Sequence, residues 1–365
     1  MSKRIVWITG DYFIDVDQTL VPYLREQYEL NIRWIVLKGK NRDIQIKKEL
    51  ECVVYKLNFR TRDPRIIFDF RSIMKREHIP HADLIYSDYL DVPFYYPVLF
   101  HYCKKVPIIH AAHNIIPYNG WPHKRLMTWY VNYVFKKNEY FHIFSKHLES
   151  YFKSKYPTKK ILCCPMTVKS YGEVRTNNYK IDKSKCNLLF FGNIKDNKRL
   201  DLLINAIKSL PLEILRKTRL TIAGKCDNVS YYLSLIDNCP AISCSFKRIE
   251  DDEIPELFTK HQYLVLPYEN VAQSGPHMIA YYYNLPVIAS DIDGFTEHIK
   301  DNETGFLFHV NDKDSLISVL SKAIAYPTSE YRNMKKNLQD YVRQTYSLDV
   351  VAKKYVDFFN LITNE

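Results

Sequence analysis

Glycine is scarce: nine residues in a chain of 365. With no short repeat recurring, that scarcity excludes collagen-like and low-complexity classes. Long apolar runs are missing as well. None reaches the roughly 18 residues a membrane span needs, and stretches such as 263–267 are strand-sized. Near the start only Ile5, Val6, Trp7 and Ile8 are consecutively apolar, too few for a secretory signal. Cys-x-x-Cys spacing is absent, so the eight cysteines are expected to be buried, reduced thiols in a cytoplasmic protein. No helix-turn-helix, zinc-finger or aromatic RNA-binding signature occurs, which argues against nucleic acid as a partner. What is present is a globular balance of 46% hydrophobic and 25% charged residues, long enough for two domains.

The net charge of +11 is unevenly spread. Residues 1–185 hold 32 Lys and Arg against 18 Asp and Glu; residues 186–365 hold 20 against 23. The steepest stretch, 121–160, has nine basic and two acidic residues, interleaved with aromatics such as Trp121, Trp129, Tyr130 and Tyr133. Basic and aromatic residues together suit an anionic membrane surface. A solvated lysine face over an aromatic core accounts for the same composition.

Short apolar runs alternate with helical periodicity, the signature of parallel, doubly wound sheets. Strands are expected at 4–9, 34–37, 52–57, 84–87, 106–111, 141–144 and 160–164. A second series follows at 187–192, 220–223, 241–246, 263–267, 287–290 and 305–308. The intervening residues 167–186 are polar and aperiodic, a linker composition. The expected organisation is one α/β domain over 1–166, a second over 187–340, and an amphipathic helix over 341–365. Ligands of such folds bind at the carboxyl ends of the strands, in a crevice expected between the domains.

Two loops carry the chemistry. Gln273-Ser274-Gly275 stands where a helix begins, and helix starts offer free N–H groups to an anion. Gly192 ends a strand, followed by Asn193, Lys195 and Lys198 on the way into a helix. Two ammonium groups at a strand end suit a diphosphate. In the first half, His113 ends an apolar strand and is the best catalytic candidate there, its imidazole able to hydrogen-bond a hydroxyl or a phosphate. His110, inside that strand, reads as core. Gly10, Asn114 and Tyr118 complete the candidates of the first half.

These segments resemble the GT-B glycosyltransferases, in particular the retaining family 4 and its Gln-Ser-Gly branch among group 1 glycosyltransferases. The likeness rests on the 190–206 opening, the 220–224 strand, the Gln-Ser-Gly loop, and the 286–299 and 302–308 segments. In the first half the 110–117 segment is similar to the family's His-Asn-x-x-Pro. The resemblance implies two Rossmann-like domains, a nucleotide-sugar donor, and a saccharide or lipid-linked acceptor in bacterial capsule or O-antigen synthesis. It makes 1–166 the acceptor-binding and 187–340 the donor-binding domain, with the 341–365 helix returning to the first. It gives donor-binding roles to Gly192, Asn193, Gln273, Ser274, Gly275 and Glu297, acceptor-side places to Gly10, Asn114 and Tyr118, and catalytic roles to His113, Lys195 and Lys198. The family's pair of glutamates eight positions apart is missing, and Glu269 is out of register. Two Asp-x-Asp pairs, Asp15/Asp17 and Asp291/Asp293, are metal-site decoys, since the second lies inside the family's strand–loop segment. No metal is expected. The alternatives are a nucleotide-sugar epimerase of the same fold, which would need clustered acids, and an inactive partner subunit of a polysaccharide-assembly complex. A location on the inner face of the cytoplasmic membrane follows from the resemblance and the basic first half.

Overall fold

The computed structural model describes residues 3–40, 46, 48–89, 92–113, 115, 124–179, 181–271 and 273–364. It divides into two units, Met1–Thr167 with Leu348–Glu365, and Val168–Ser347.

The first unit is built on β1 (Arg4–Gly10), β2 (Asn31–Lys38), β3 (Val53–Lys56), β4 (Leu84–Asp88), β5 (Ile108–Ala111), β6 (Tyr140–Ile143) and β7 (Lys160–Cys163). They form one sheet in the order 3-2-1-4-5-6-7, every pair parallel. β1 and β4 are buried along nearly their whole length, covered on both faces. The helix Leu348–Thr363 completes this unit. Its Val351, Ala352, Tyr355, Phe358, Phe359 and Ile362 are buried, and the Tyr355 ring packs over Trp7 with centroids 5.7 Å apart. Beneath it the hydroxyls of Tyr86 and Tyr355 meet His142 Nδ1 at 2.7 and 3.1 Å.

The second unit repeats the plan with β8 (Cys186–Phe191), β9 (Thr218–Ala223), β10 (Ile242–Ser245), β11 (Tyr263–Leu266), β12 (Val287–Ser290) and β13 (Gly305–Phe308). Their order is 10-9-8-11-12-13, again all parallel. Strand order reverses between β1 and β4 in one unit and between β8 and β11 in the other. Those switch points are where open α/β sheets bind ligands.

Three features depart from the sequence expectations. Residues 167–186 are not a loose connection: from Val168 on they belong to the second unit. Thr176 Oγ1 and the peptide N–H groups of Asn178 and Tyr179 donate to the buried Glu256 carboxylate. The terminal helix expected over 341–365 is two helices. Thr328–Tyr346 lies in the second unit and Leu348–Thr363 in the first, with Ser347 between them. The strand expected over 34–37 is longer, Asn31–Lys38.

Candidate active site

In the second unit the site begins where β8 stops. Gly192 has φ +111°, open to glycine alone at little cost. A Cβ on Gly224 would lie 2.1 Å from the Gly192 carbonyl oxygen, so the ends of β8 and β9 close together only because Gly224 carries no side chain. A short 3-10 turn, Asp196–Lys198, then folds the chain back, with Lys198 N–H donating to the Lys195 carbonyl at 2.9 Å. This returns the Lys198 ammonium to the strand end. It stands 5.4 Å from the centroid of the Tyr268 ring, and 3.1 Å from the point a Gly192 Cβ would occupy. Burial, reinforced by the nearby Lys195 ammonium, lowers Lys198 to about 8. Lys195 and Asn193 are exposed.

β11 leads into the second loop. Ser274 is the N-cap of the helix Gly275–Tyr282, its Oγ accepting from His277 N–H at 3.3 Å. The two loops are tied together: Glu269 N–H donates to the Asn197 carbonyl at 3.0 Å. Pro276 Cγ is 3.4 Å from the same Gly192 Cβ point, so Lys198 and the helix start converge there. Gly294 explains the turn after β12, since a Cβ there would lie 2.2 Å from the Val271 carbonyl oxygen. That turn carries the half-buried Glu297 at the end of the short helix Asp293–Thr296. Gln273 is half-buried beside the N-cap. Glu269 instead directs its carboxylate toward Arg199, at 3.9 Å. Asp291 accepts from Val310 N–H at 2.8 Å and pairs with His309 Nδ1 at the same distance, so its carboxylate is engaged in holding the β13 exit.

In the first unit His113 follows β5, its ring stacked between Phe13 and Phe144 with centroids 3.9 and 4.2 Å away. Its Nε2 is 2.9 Å from Asp88 Oδ1 at the end of β4. Burial raises Asp88, and His113 opposes that rise. Deeper still, Asp17 accepts from the Thr9 hydroxyl and from Trp7 Nε1. Burial and the Asp88 carboxylate raise it to about 7. Gly10 ends β1 under the Tyr12 ring, whose Cε1 is 2.6 Å from where a Cβ would be. His110 is fully buried and bonded to the Tyr96 hydroxyl, a core residue. Asn114 and Tyr118 lie outside the described residues.

Sequence reasoning misses two groups. Asp88 could have been found as an acid at the carboxyl end of a buried strand. Lys169, whose Nζ lies 3.7 Å from where a Gly275 Cβ would be, sits in the stretch that reads as a linker, where no sequence signal marks it.

Comparison with known proteins bears on both units. Residues 173–341 match the family "Glycosyl transferases group 1". An uncharacterized 41.2 kDa protein in the cps region of Klebsiella pneumoniae is 23% identical over 186 residues, 51% of this chain and 49% of that protein. Among solved structures, Anabaena Alr3699/HepE in complex with UDP and glucose superposes with a TM-score of 0.73 at 15% identity, covering 98% of this chain and all of that one. A glycosyltransferase from Rickettsia africae gives 0.76 at 12% identity, covering 99% and 98%. WaaG, a glycosyltransferase involved in lipopolysaccharide biosynthesis, gives 0.66 at 15% identity, covering 99% and 100%. These likenesses over the full length establish the GT-B fold of two Rossmann-like units. The chain therefore carries a group 1 glycosyltransferase domain, in its second unit, on a GT-B fold.

Proposed function

We propose that this protein transfers a sugar from a nucleoside-diphosphate sugar to a saccharide acceptor, with retention of configuration, during assembly of a bacterial surface polysaccharide. One observation carries this reading: two phosphate-competent loops, Gly192 to Lys198 and Gln273 to Gly275, follow the adjacent strands β8 and β11, and Glu269 N–H on the β11 side donates to the Asn197 carbonyl of the first loop. Charge builds on the diphosphate as the glycosidic bond breaks. Lys198, Lys195 and the Gly275 N–H at the helix start would stabilise it where it develops. Asn193, Gln273, Ser274 and Glu297 would hold the rest of the donor. In a retaining displacement on one face, the departing phosphate itself takes the acceptor proton, so no strong protein base is required. His113, oriented by Asp88, would bond a hydroxyl of the sugar or the leaving oxygen. The first unit would receive the acceptor. The UDP held by Alr3699/HepE and the cps-region origin of the Klebsiella relative support this reading.

The cations of the protein do the work a divalent metal does elsewhere, so activity should survive EDTA. An acceptor on a lipid carrier suits the first unit, whose helix Lys124–Lys137 turns Leu126 and Trp129 to solvent beside Arg125, Lys136 and Lys137. The test is thermal stabilisation by UDP-, GDP-, ADP- and dTDP-sugars, followed by product analysis with and without added acceptor. One nucleotide base should stabilise selectively, and transfer should need an acceptor. Epimerised donor without acceptor would identify an epimerase. Binding without turnover across a broad panel would identify an inactive partner, and no binding at all would overturn the donor site.

A further inference from the structure

Tyr268, two residues beyond β11, meets both phosphate-competent loops. The Lys198 ammonium of the first loop stands 5.4 Å from the centroid of its ring. Its hydroxyl, at the far end of that ring, is buried beside the Ser274 side chain that caps the helix of the second loop. The residue is fixed in place. The Phe295 ring packs on it with centroids 5.6 Å apart, and its carbonyl accepts from the Ser290 hydroxyl at the end of β12. Only 2% of Tyr268 is exposed.

Lys198 needs such a neighbour. A buried ammonium is costly unless a group of opposite polarity meets it. Lys195, close to it, carries like charge and helps to drive the proton off. Asp201 and Glu269 turn their carboxylates to the Arg199 guanidinium, at 3.2 and 3.9 Å. Among the described residues neither these nor Asp196 forms an ion pair with Lys198. The helix start brings Pro276 to the same place, and Lys169 reaches Gly275 beside it. What meets the ammonium is the electron-rich face of the Tyr268 ring, which attracts a cation at this range, most strongly out of water. Burial pushes the phenol far above its ordinary range, so the ring stays neutral while the lysine titrates. We propose that Tyr268 is a positioning residue of the donor site, its ring face keeping the Lys198 ammonium charged and held at the end of β8. That a diphosphate then meets this ammonium rests on the donor-site reading above; the hold of the ring on the lysine does not.

The test follows Lys198 itself. The full chain, labelled with carbon-13 at the lysine Cε atoms, is titrated by NMR, and the Lys198 signal is the one missing from Lys198→Gln. Tyr268→Phe keeps the ring face and should titrate at the wild-type midpoint. Tyr268→Leu stays apolar but has no such face, and its Lys198 midpoint should fall by about half a pH unit or more. Calorimetric titration with UDP, GDP, ADP and dTDP gives the second readout. For whichever diphosphate the wild type binds, Tyr268→Leu should bind about twofold more weakly at pH 8 and about threefold at pH 9, as that displacement implies. Tyr268→Phe should bind as the wild type does at both. Melting curves show whether each variant folds, and Tyr268→Met takes the place of Tyr268→Leu if the latter does not. A Lys198 midpoint at or above that of the wild type in the variant without a ring would overturn the inference and leave the donor site standing. So would an equal fall in Tyr268→Phe, which would trace the effect to the hydroxyl. A wild type that binds none of the nucleotides would overturn the donor-site reading, and the NMR midpoints would still decide the hold of the ring.

Discussion

Lys198 shows how a single side chain can be tuned by where its backbone stops. The 3-10 turn places its ammonium against Tyr268 and near Lys195, and the proton becomes easier to lose, at about 8 instead of the ordinary lysine value. If this cation faces the diphosphate, kcat/KM, which reports the free enzyme, should fall as pH rises through 8, approaching tenfold per unit. Lys198→Arg should move that descending limb beyond the accessible range, because a guanidinium keeps its proton. Lys198→Ala should lower kcat/KM about ten- to a hundredfold at pH 7. A wild-type profile flat to pH 10 would remove the assignment. Lys198 was readable because a lysine after a strand-ending glycine is a local pattern. His113 was readable for the same reason. Asp88 offered only the signal of an acid ending a buried strand, since what makes it matter is that β4 lies beside β5 and brings its carboxylate to the imidazole. No spacing along the chain encodes that meeting.

Elements obey the same distinction between local and distant information. The central strands were legible because both faces are buried, and such strands read as near-continuous apolar runs. The helix Thr328–Tyr346 was not. It buries only Met334, Leu338 and Tyr346, so its sequence shows no broad apolar stripe. The 167–186 segment misled for a related reason: its polar residues are used to bind the second unit instead of to stay solvated. Glu256 is the centre of that attachment. Burial alone would raise its carboxyl, but Lys260, Thr176 and the N–H groups of Tyr179 and Asn178 outweigh burial and hold it at about 2. A carboxyl depressed on folding stabilises above its unfolded pKa of ~4.3, and this contribution fades as pH falls toward 2. Glu256→Gln should therefore lower the melting temperature of the second unit by several degrees at pH 7, since ~1 kcal/mol corresponds to about 2–4 °C at this size. The difference should narrow at pH 3. An equal deficit at both pH values would mean the carboxylate charge is not what holds the segment.

At the scale of the whole chain, charge is the least local signal and the easiest to read. The basic excess of residues 1–185 includes the helix Lys124–Lys137, where Leu126 is 57% and Trp129 65% exposed. Exposed apolar side chains between cations suit the headgroup region of an anionic bilayer, where each Lys or Arg contributes about 1 kcal/mol. No helix among the described residues is long and apolar enough to cross a membrane. Binding to anionic vesicles should fall with rising salt and with Leu126→Ser/Trp129→Ser, while neutral vesicles should bind little. Equal partitioning to both vesicle types would leave this helix as ordinary surface.

The return of Leu348–Thr363 to the first unit also bears on how the protein is made. A ribosome releases β1 to β7 long before that helix, and all 180 residues of Val168–Ser347 come between. Until residues 348–363 emerge, one side of Trp7, Tyr86 and His142 has no cover. The unit encoded first is thus the one finished last, and the unit encoded second is continuous and free to fold as soon as it is translated. A chain stopped at Ser347 should accordingly melt in two steps, with the second unit at its normal temperature and the first loosened and binding apolar dyes.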